Sequence, residues 1–263
     1  MLRIITIKKA SAILLAFFVF ISPVFSADTY LSIIIDDIGD HYKNGLAAIN
    51  IPAPITYALL PYSQYAKKLS SIGQNKNKEF ILHTPMQSVD SRLQQDHTLH
   101  IHMTKQQVSN QLTQQLKLFP FVKGINNHMG SLLTMHPGYM KIVMQTLKQH
   151  GSLFFIDSRT TSQTVATKIA QENNIATLDR DIFLDPVNNN SFINQQFDQA
   201  IALSQKNGYA IAIAHPYPET IKVLKQRLST LNKNIKLVPV STLIKKYTEP
   251  RHEKSIDTLS AGL

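Results

Sequence analysis

Short, continuously apolar runs recur along the chain, each ending in polar or turn-forming residues. They are "LSIIID" (31–36), "ITYALL" (55–60), "EFILHT" (79–84), "FVKGIN" (121–126), "SLFFID" (152–157), "IATLD" (175–179), "YAIAIAH" (209–215) and "IKLVPV" (235–240). Runs of this length without polar alternation read as strands buried on both faces. Segments with helical spacing lie between them. Thr104 and Gln107 form a capping box ahead of Val108, Leu112 and Leu116 on one face. Met140, Val143, Met144 and Leu147 repeat that spacing, and Gly151 closes the helix. Phe197, Ala200, Ile201 and Ser204 lead into Asn207-Gly208, a C-terminal stop. Pro218 suits the first turn of a helix carrying Ile221, Leu224, Leu228 and Leu231.

Strand–helix alternation repeated seven or eight times predicts a parallel α/β sheet. The chain length suits a (β/α) barrel of about seven parallel strands with surrounding helices, with a doubly wound open sheet as the alternative. The predicted domain spans 28–247. The segment 87–102 reads as a long polar loop, and 248–263 lacks apolar periodicity and reads as a disordered tail.

The polar residues fall in register with the strands. Asp36 and Asp37 end the first run, and His83 ends "EFILH". Asn126, Asn127 and His128 follow "FVKGI". Asp157 ends "SLFFID", with Ser158 and Arg159 after it, and His215 ends "YAIAIAH". In parallel α/β folds that edge carries ligands and chemistry. A single acid or imidazole there could be a helix cap or a hydrogen-bonded turn residue. Five strands delivering Asp or His to one rim fit a site better.

The residue types suit a metal. Zinc takes His nitrogen and carboxylate oxygen, with three protein ligands and an open position in catalytic sites. Asp37, His83 and His128 supply that set. Asp36 beside them could accept a proton from water, and His215 could protonate a leaving group. Asn127 and Arg159, on the same rim, read as substrate contacts. Nickel, cobalt or manganese would tolerate similar ligands. His97, His100 and His102 alternate in a metal-like way, but their polar loop reads as solvated.

Composition narrows the classes. The 263 residues are 43% hydrophobic and 17% charged, enough for one sizeable core. Cysteine is absent, which excludes disulfides and thiolate metal sites. Arg3, Lys8 and Lys9 precede the apolar stretch "SAILLAFFVFISPVF", with small residues Ser26 and Ala27 after it. This is the layout of a signal peptide spanning 1–26, with an uncleaved anchor as the alternative. The expected location is therefore periplasmic or extracytoplasmic. The formal charge is +10, with the bases scattered and no nucleic-acid motif. Such a balance draws an exported protein to anionic envelope polymers or lipid headgroups, or serves solubility alone.

"IIIDDIGD", "LHTPMQ", "GINNHMGS", "FIDSRT", "DRDIFLD" and "IAHPYPET", in that order over 33–220, resemble the divergent polysaccharide deacetylase family. The resemblance implies a distorted (β/α) barrel and an exported, metal-dependent hydrolase removing acyl groups, chiefly N-acetyl, from an envelope polysaccharide or peptidoglycan-like glycan. It implies Asp36 as base, Asp37 as metal ligand and His215 as acid; Asp157, on the same rim, is read as orienting His215. The wider family draws two more ligands from a His-x-x-x-His motif. Here Gln87 stands four residues after His83, and His128 is the substitute ligand. The missing imidazole leaves an alternative, a glycan-binding or envelope-organising protein without turnover. A hydrolase of another ester or amide is a third reading.

Overall fold

The computed structural model describes residues 28–90, 92 and 96–248. The predicted signal peptide, nearly all of the predicted tail and part of the 87–102 loop lie outside them. Strands and helices alternate: β1 (Thr29–Ile38), α1 (Tyr42–Ile49), β2 (Thr56–Leu59), α2 (Ala66–Gln74), β3 (Glu79–Met86), α3 (Lys105–Leu118), β4 (Gly124–Met129), α4 (Pro137–Gln149), β5 (Phe154–Asp157), α5 (Ala166–Glu172), β6 (Thr177–Asp179), β7 (Ile182–Phe183), α6 (Asn190–Asn207), β8 (Tyr209–Ala214), α7 (Pro218–Ser229), β9 (Ile235–Leu237) and α8 (Val240–Thr248). The strands run parallel in the order β6-β5-β4-β3-β2-β1-β8-β7. The ninth, β9, pairs with the first residues of β1. The result is a parallel α/β half-barrel with surrounding helices.

The seam explains why there are nine strands where about seven were expected. Only Arg180 and Asp181 separate β6 from β7, too few for a parallel crossover between paired strands. The chain crosses from one edge to the other instead. Arg180 N–H donates to Asp157 O on β5, and Asp181 N–H donates to Ile211 O on β8. The Asp181 carboxylate accepts from Ile211 N–H in return. A two-residue strand such as β7 is too short to show any period in the sequence.

Period-two alternation sorts side chains to two faces. Leu31, Ile33 and Ile35 of β1, with Leu82, Ile125, Phe155 and Ala212 from other strands, pack against the outer helices. Ile34, Ala58, Ile81, Ile156, Ile211 and Ile213 form a second, inner cluster, to which α8 adds Val240, Leu243 and Ile244. Thus α8 covers the inner face near the strand starts. It is fastened there by Val240 N–H donating to Thr56 and by Ser241 hydrogen-bonding to Glu79. The other end of the inner face stays available for chemistry. The predicted capping box at Thr104 and the stop at Gly208 (φ 84°) both occur.

One boundary differs from the reading of the sequence in a way that matters. The fourth strand is 124–129, three residues later than expected. Hydrogen-bonded turns through Phe119–Val122 occupy the start of the predicted run. Gly124 opens the strand because a Cβ there would strike Phe154, including its carbonyl oxygen. His128 therefore lies within a strand and not in a loop.

Candidate metal centre and active site

The inner-face alternation carries directly into the site. Asp36 follows Ile34 by two residues, His83 follows Ile81, Ser158 follows Ile156 and His215 follows Ile213. All four continue the inward parity at the C-terminal edge. Asn126 and His128 share a face of β4, and Asn126 pairs across the ladder with His83. The outward parity takes Asp157, which follows Phe155.

Two adjacent acids should point to opposite faces. The chain resolves this with a bulge. Between the pairs Ile35–Tyr57 and Ile38–Leu59, β1 uses one residue more than β2, and Asp37 adopts φ 54°. That turn brings Asp37 to the inner side beside Asp36. Asp36 Oδ2 lies 3.5 Å and Asp37 Oδ1 3.3 Å from His83 Nε2. Positive φ at a non-glycine residue is uncommon, and such strain gathers at functional edges. Here Asp37, Tyr62, Met129 and Arg159 all adopt it, each at or just beyond the C-terminal end of a different strand.

Three ligand-type atoms converge. His128 Nδ1 is 3.1 Å from His83 Nε2 and 3.2 Å from Asp37 Oδ1, which closes the triangle with the 3.3 Å Asp37–His83 edge. Atoms bound to one ion at roughly 2.0–2.2 Å are spaced about 3.0–3.5 Å apart. The hydrogen bonding fits a cation as well. Asn126 Nδ2 donates to Asp36 Oδ1 at 2.9 Å and to Ser158 Oγ at 3.3 Å, which leaves Asn126 Oδ1 to accept from His83 Nδ1 at 2.8 Å. With its proton held on Nδ1, a neutral His83 presents a bare Nε2 to the triangle. Asp37 Oδ1 is buried and accepts no hydrogen bond. With both imidazoles neutral and bare at these atoms, the three groups would face one another as acceptors, an arrangement that a cation between them would satisfy. The titration directions show how strongly this point attracts positive charge, a proton when no ion is bound. Burial disfavours charge on both groups. Even so, the neighbouring imidazoles hold the Asp37 carboxyl well below its usual range, and Asp36 and Asp37 push His83 up. Asp37, His83 and His128 thus form a possible metal-binding triad, the one such group among the described residues.

Gln87, where the second imidazole was missing, does different work. Its side chain accepts from Ile101 N–H, and its carbonyl accepts from Leu132 and Leu133 N–H. It ties the 87–102 loop to the turn after β4. His97, His100 and His102 do not gather around a common point.

Asp36 is 2% exposed, and burial pushes its carboxyl up. His215 Nε2 looks toward the triangle, 3.9 Å from Asp37 Oδ2. The carboxylate behind it is Asp185, not Asp157. Asp185 Oδ1 lies 2.9 Å from His215 Nδ1, and Asp185 Oδ2 accepts from His215 N–H and from Thr220 Oγ1 on α7, both at 2.7 Å. Asp157 accepts from Thr164 Oγ1 and from Arg159 N–H, on the helix side of the sheet. Its outward parity keeps it from orienting His215. Asn127 shares that parity and is also internal. Its amide spans from Ser158 N–H to Met129 O, so it ties two rim turns together and is not free to contact a substrate. Arg159 is half exposed and pairs with Asp179 at 3.2 Å. Asn126 and Asp185 were present in quoted motifs but had no assigned role. The signal for Asp185 was an apolar run ending in Asp, "IFLD", too short to stand out.

Burial opposes a charge on His215. The Asp185 hydrogen bond and charge, with Asp36 and Asp37 beyond, outweigh it and raise the ring from 6.5 to about 9. A folded value above the unfolded one stabilises fully below about pH 6.5, and that contribution is lost as the pH rises through about 9. In chelator-treated Asp185→Asn protein, the imidazole should titrate well below its wild-type value, since burial remains while the counter-charge is gone. NMR titration reads this directly. The alkaline fall in unfolding temperature between pH 6.5 and 9 should also shrink. An unchanged His215 titration would show that Asp185 does not set it.

Fold and rim together define a deacetylase-like α/β half-barrel with a His/Asp centre at the strand ends. The chain belongs to the divergent polysaccharide deacetylase family, whose model matches residues 33–244. It is 39% identical over 217 residues to an uncharacterized protein of Haemophilus influenzae, covering 82% of this chain and 77% of that protein. It is 34% identical over 237 residues to the uncharacterized protein YibQ of Escherichia coli, covering 90% of this chain and 71% of the other. Among solved structures, the uncharacterized protein ATU2773 of Agrobacterium tumefaciens superposes with a TM-score of 0.79 at 19% identity, covering 83% of this chain and 90% of that one. At that identity the likeness concerns the fold alone.

Proposed function

We propose that the protein is an exported, metal-dependent deacetylase that hydrolyses N-acetyl groups on an envelope glycan. The observation that carries this reading is the triangle of Asp37 Oδ1, His83 Nε2 and His128 Nδ1, flanked by a buried carboxylate and a raised imidazole. Asp37, His83 and His128 would hold a divalent ion, with zinc favoured by the His₂Asp set. Such an ion supplies Lewis-acid polarisation of the amide carbonyl and acidifies water.

The chain's own groups then divide the proton work. Asp36, out of solvent and raised by burial, accepts a proton from the attacking water as its oxygen bonds to the acetyl carbon. Asn126 keeps Asp36 in place through its 2.9 Å hydrogen bond and fixes His83 with its other amide atom. His215, charged at neutral pH, gives its Nε2 proton to the amide nitrogen as the C–N bond breaks, leaving acetate and a free amine. Asp185 orients the ring and stabilises its charged form.

Elemental analysis of purified protein, combined with acetate release from N-acetylated glycans, tests the reading. About one divalent ion per chain and metal-dependent acetate release are expected. Metal and glycan binding without acetate release from any acetylated envelope polymer would favour the non-catalytic glycan-binding reading. Export rests on the basic, apolar and small-residue order of 1–27. N-terminal sequencing of envelope-fraction protein should find the first 26 residues removed, whereas an intact Met1 would refute cleavage.

A further inference from the structure

Four large hydrophobic side chains are exposed among the described residues: Tyr62 (42%), Val89 (66%), Val187 (52%) and Tyr217 (39%). Each lies on a segment that follows the C-terminal end of a strand, namely β2, β3, β7 and β8. None is on the outer helices or at the strand starts. Scattered exposed hydrophobics need no explanation, but confinement to one rim does.

The two tyrosines are built alike. A histidine ring backs each one: His97 against Tyr62 at 3.9 Å between centroids and 31° between planes, and His215 against Tyr217 at 5.5 Å and 30°. Each still keeps about two-fifths of its surface open. Tyr62 also adopts φ 65°, a strained conformation for an aromatic residue. Its turn is tied to the segment just after Asp37, because Leu60 N–H donates to Ile38 O and Tyr65 N–H to Gly39 O. A side chain at Gly39 would meet Ser63 and Ala66, so this approach is close.

Topology places the pair. The sheet order is β2-β1-β8, so Tyr62 and Tyr217 stand on either side of the strand that ends in Asp36 and Asp37. We propose that Tyr62 and Tyr217 are sugar-stacking platforms that hold a glycan chain across the metal centre. The substrate would then be a polymer or long oligomer attacked at an internal ring. Sugar rings present apolar C–H faces suited to tyrosine, while the ring between the platforms lies over Asp36, and one stacked on Tyr217 lies beside the acid His215. A single sugar reaches at most one platform. This inference rests on the deacetylase reading for its substrate class.

The test uses the full mature chain with N-acetylglucosamine and its longer β-linked oligomers. The sequence contains nine tyrosines and no tryptophan, so tyrosine fluorescence of chelator-treated protein reports binding without turnover. Long oligomers should bind wild-type protein more tightly than the monosaccharide. Tyr62→Ala should weaken oligomer binding roughly three- to tenfold, the scale of one aromatic contact, with a smaller effect on the monosaccharide. Tyr62→Trp should restore oligomer binding, which separates stacking from a folding defect. Tyr217→Ala should show a similar loss in the binding assay. Oligomer binding equal in wild type and both alanine variants overturns the proposal, as does tyrosine-dependent binding to anionic lipid vesicles in place of glycan. Tyrosine-dependent oligomer binding by a protein that releases no acetate sustains the platforms and removes the catalytic reading instead.

Discussion

Asp36→Asn should lower acetate release roughly 10²- to 10⁴-fold, the typical contribution of one general base, while metal content stays at the wild-type level. The substitution is nearly isosteric. Asn126 Nδ2 can still donate to the side-chain oxygen at position 36, so the link from Asp36 through Asn126 to His83 survives in outline. An amide cannot accept the proton of the attacking water, so the loss should fall mainly on kcat. The buried position makes rescue by bulk solvent inefficient, because Asp36 is 2% exposed. Raising the pH should not recover the activity. If metal content falls in proportion to activity, Asp36 is a ligand or a structural group and the assigned role fails.

Losing the triad should have the other large effect. Asp37→Ala removes the one anionic member of the triangle and leaves His83 Nε2 and His128 Nδ1 facing each other at 3.1 Å. Metal content and activity should both drop to background. The thermal readout is independent of substrate. An ion present at about one hundred times its Kd stabilises the folded state by about 2.7 kcal/mol. For a domain of this size that corresponds to roughly 5–10 °C in Tm. Chelation should produce such a fall in wild-type protein and no fall in Asp37→Ala or His128→Ala. Gln87→Ala provides the contrast. It should lower stability by loosening the 87–102 loop, since Ile101 N–H loses its acceptor, yet retain the metal and the chelator-sensitive step. A Gln87 variant that loses metal while His128→Ala keeps it would reverse the assignment of the third ligand.

These expectations depend on how side chains are sorted, and much of that sorting is written in the sequence. Once Ile34, Ile81, Ile156 and Ile213 are taken as inward, two-residue steps place Asp36, His83, Ser158 and His215 on the same side. The same rule sends Asp157 and Asn127 outward, where both are consumed by internal hydrogen bonds. Their assignment to the site rested on rim position read without parity, whereas the structure turns both side chains to internal partners. His128 was found by residue type, although its strand was placed three residues early.

The sequence by itself determined the parallel α/β architecture, the edge on which the acids and imidazoles gather, and their identity. Apolar runs and helix caps act locally, within a few residues, so their pattern survives in a linear reading. Only the tertiary structure decided which of those groups meet. The bulge that turns Asp37 inward depends on the register between β1 and β2. The partner of His215 depends on β7, a two-residue strand that exists because the chain crosses the seam between Arg180 and Asp181. His128 meets His83 because parallel pairing of β3 and β4 sets their facing ring nitrogens 3.1 Å apart, although the two residues are 45 positions apart in sequence. Contacts of that kind come from closing long loops around a shared core, and no local propensity records them.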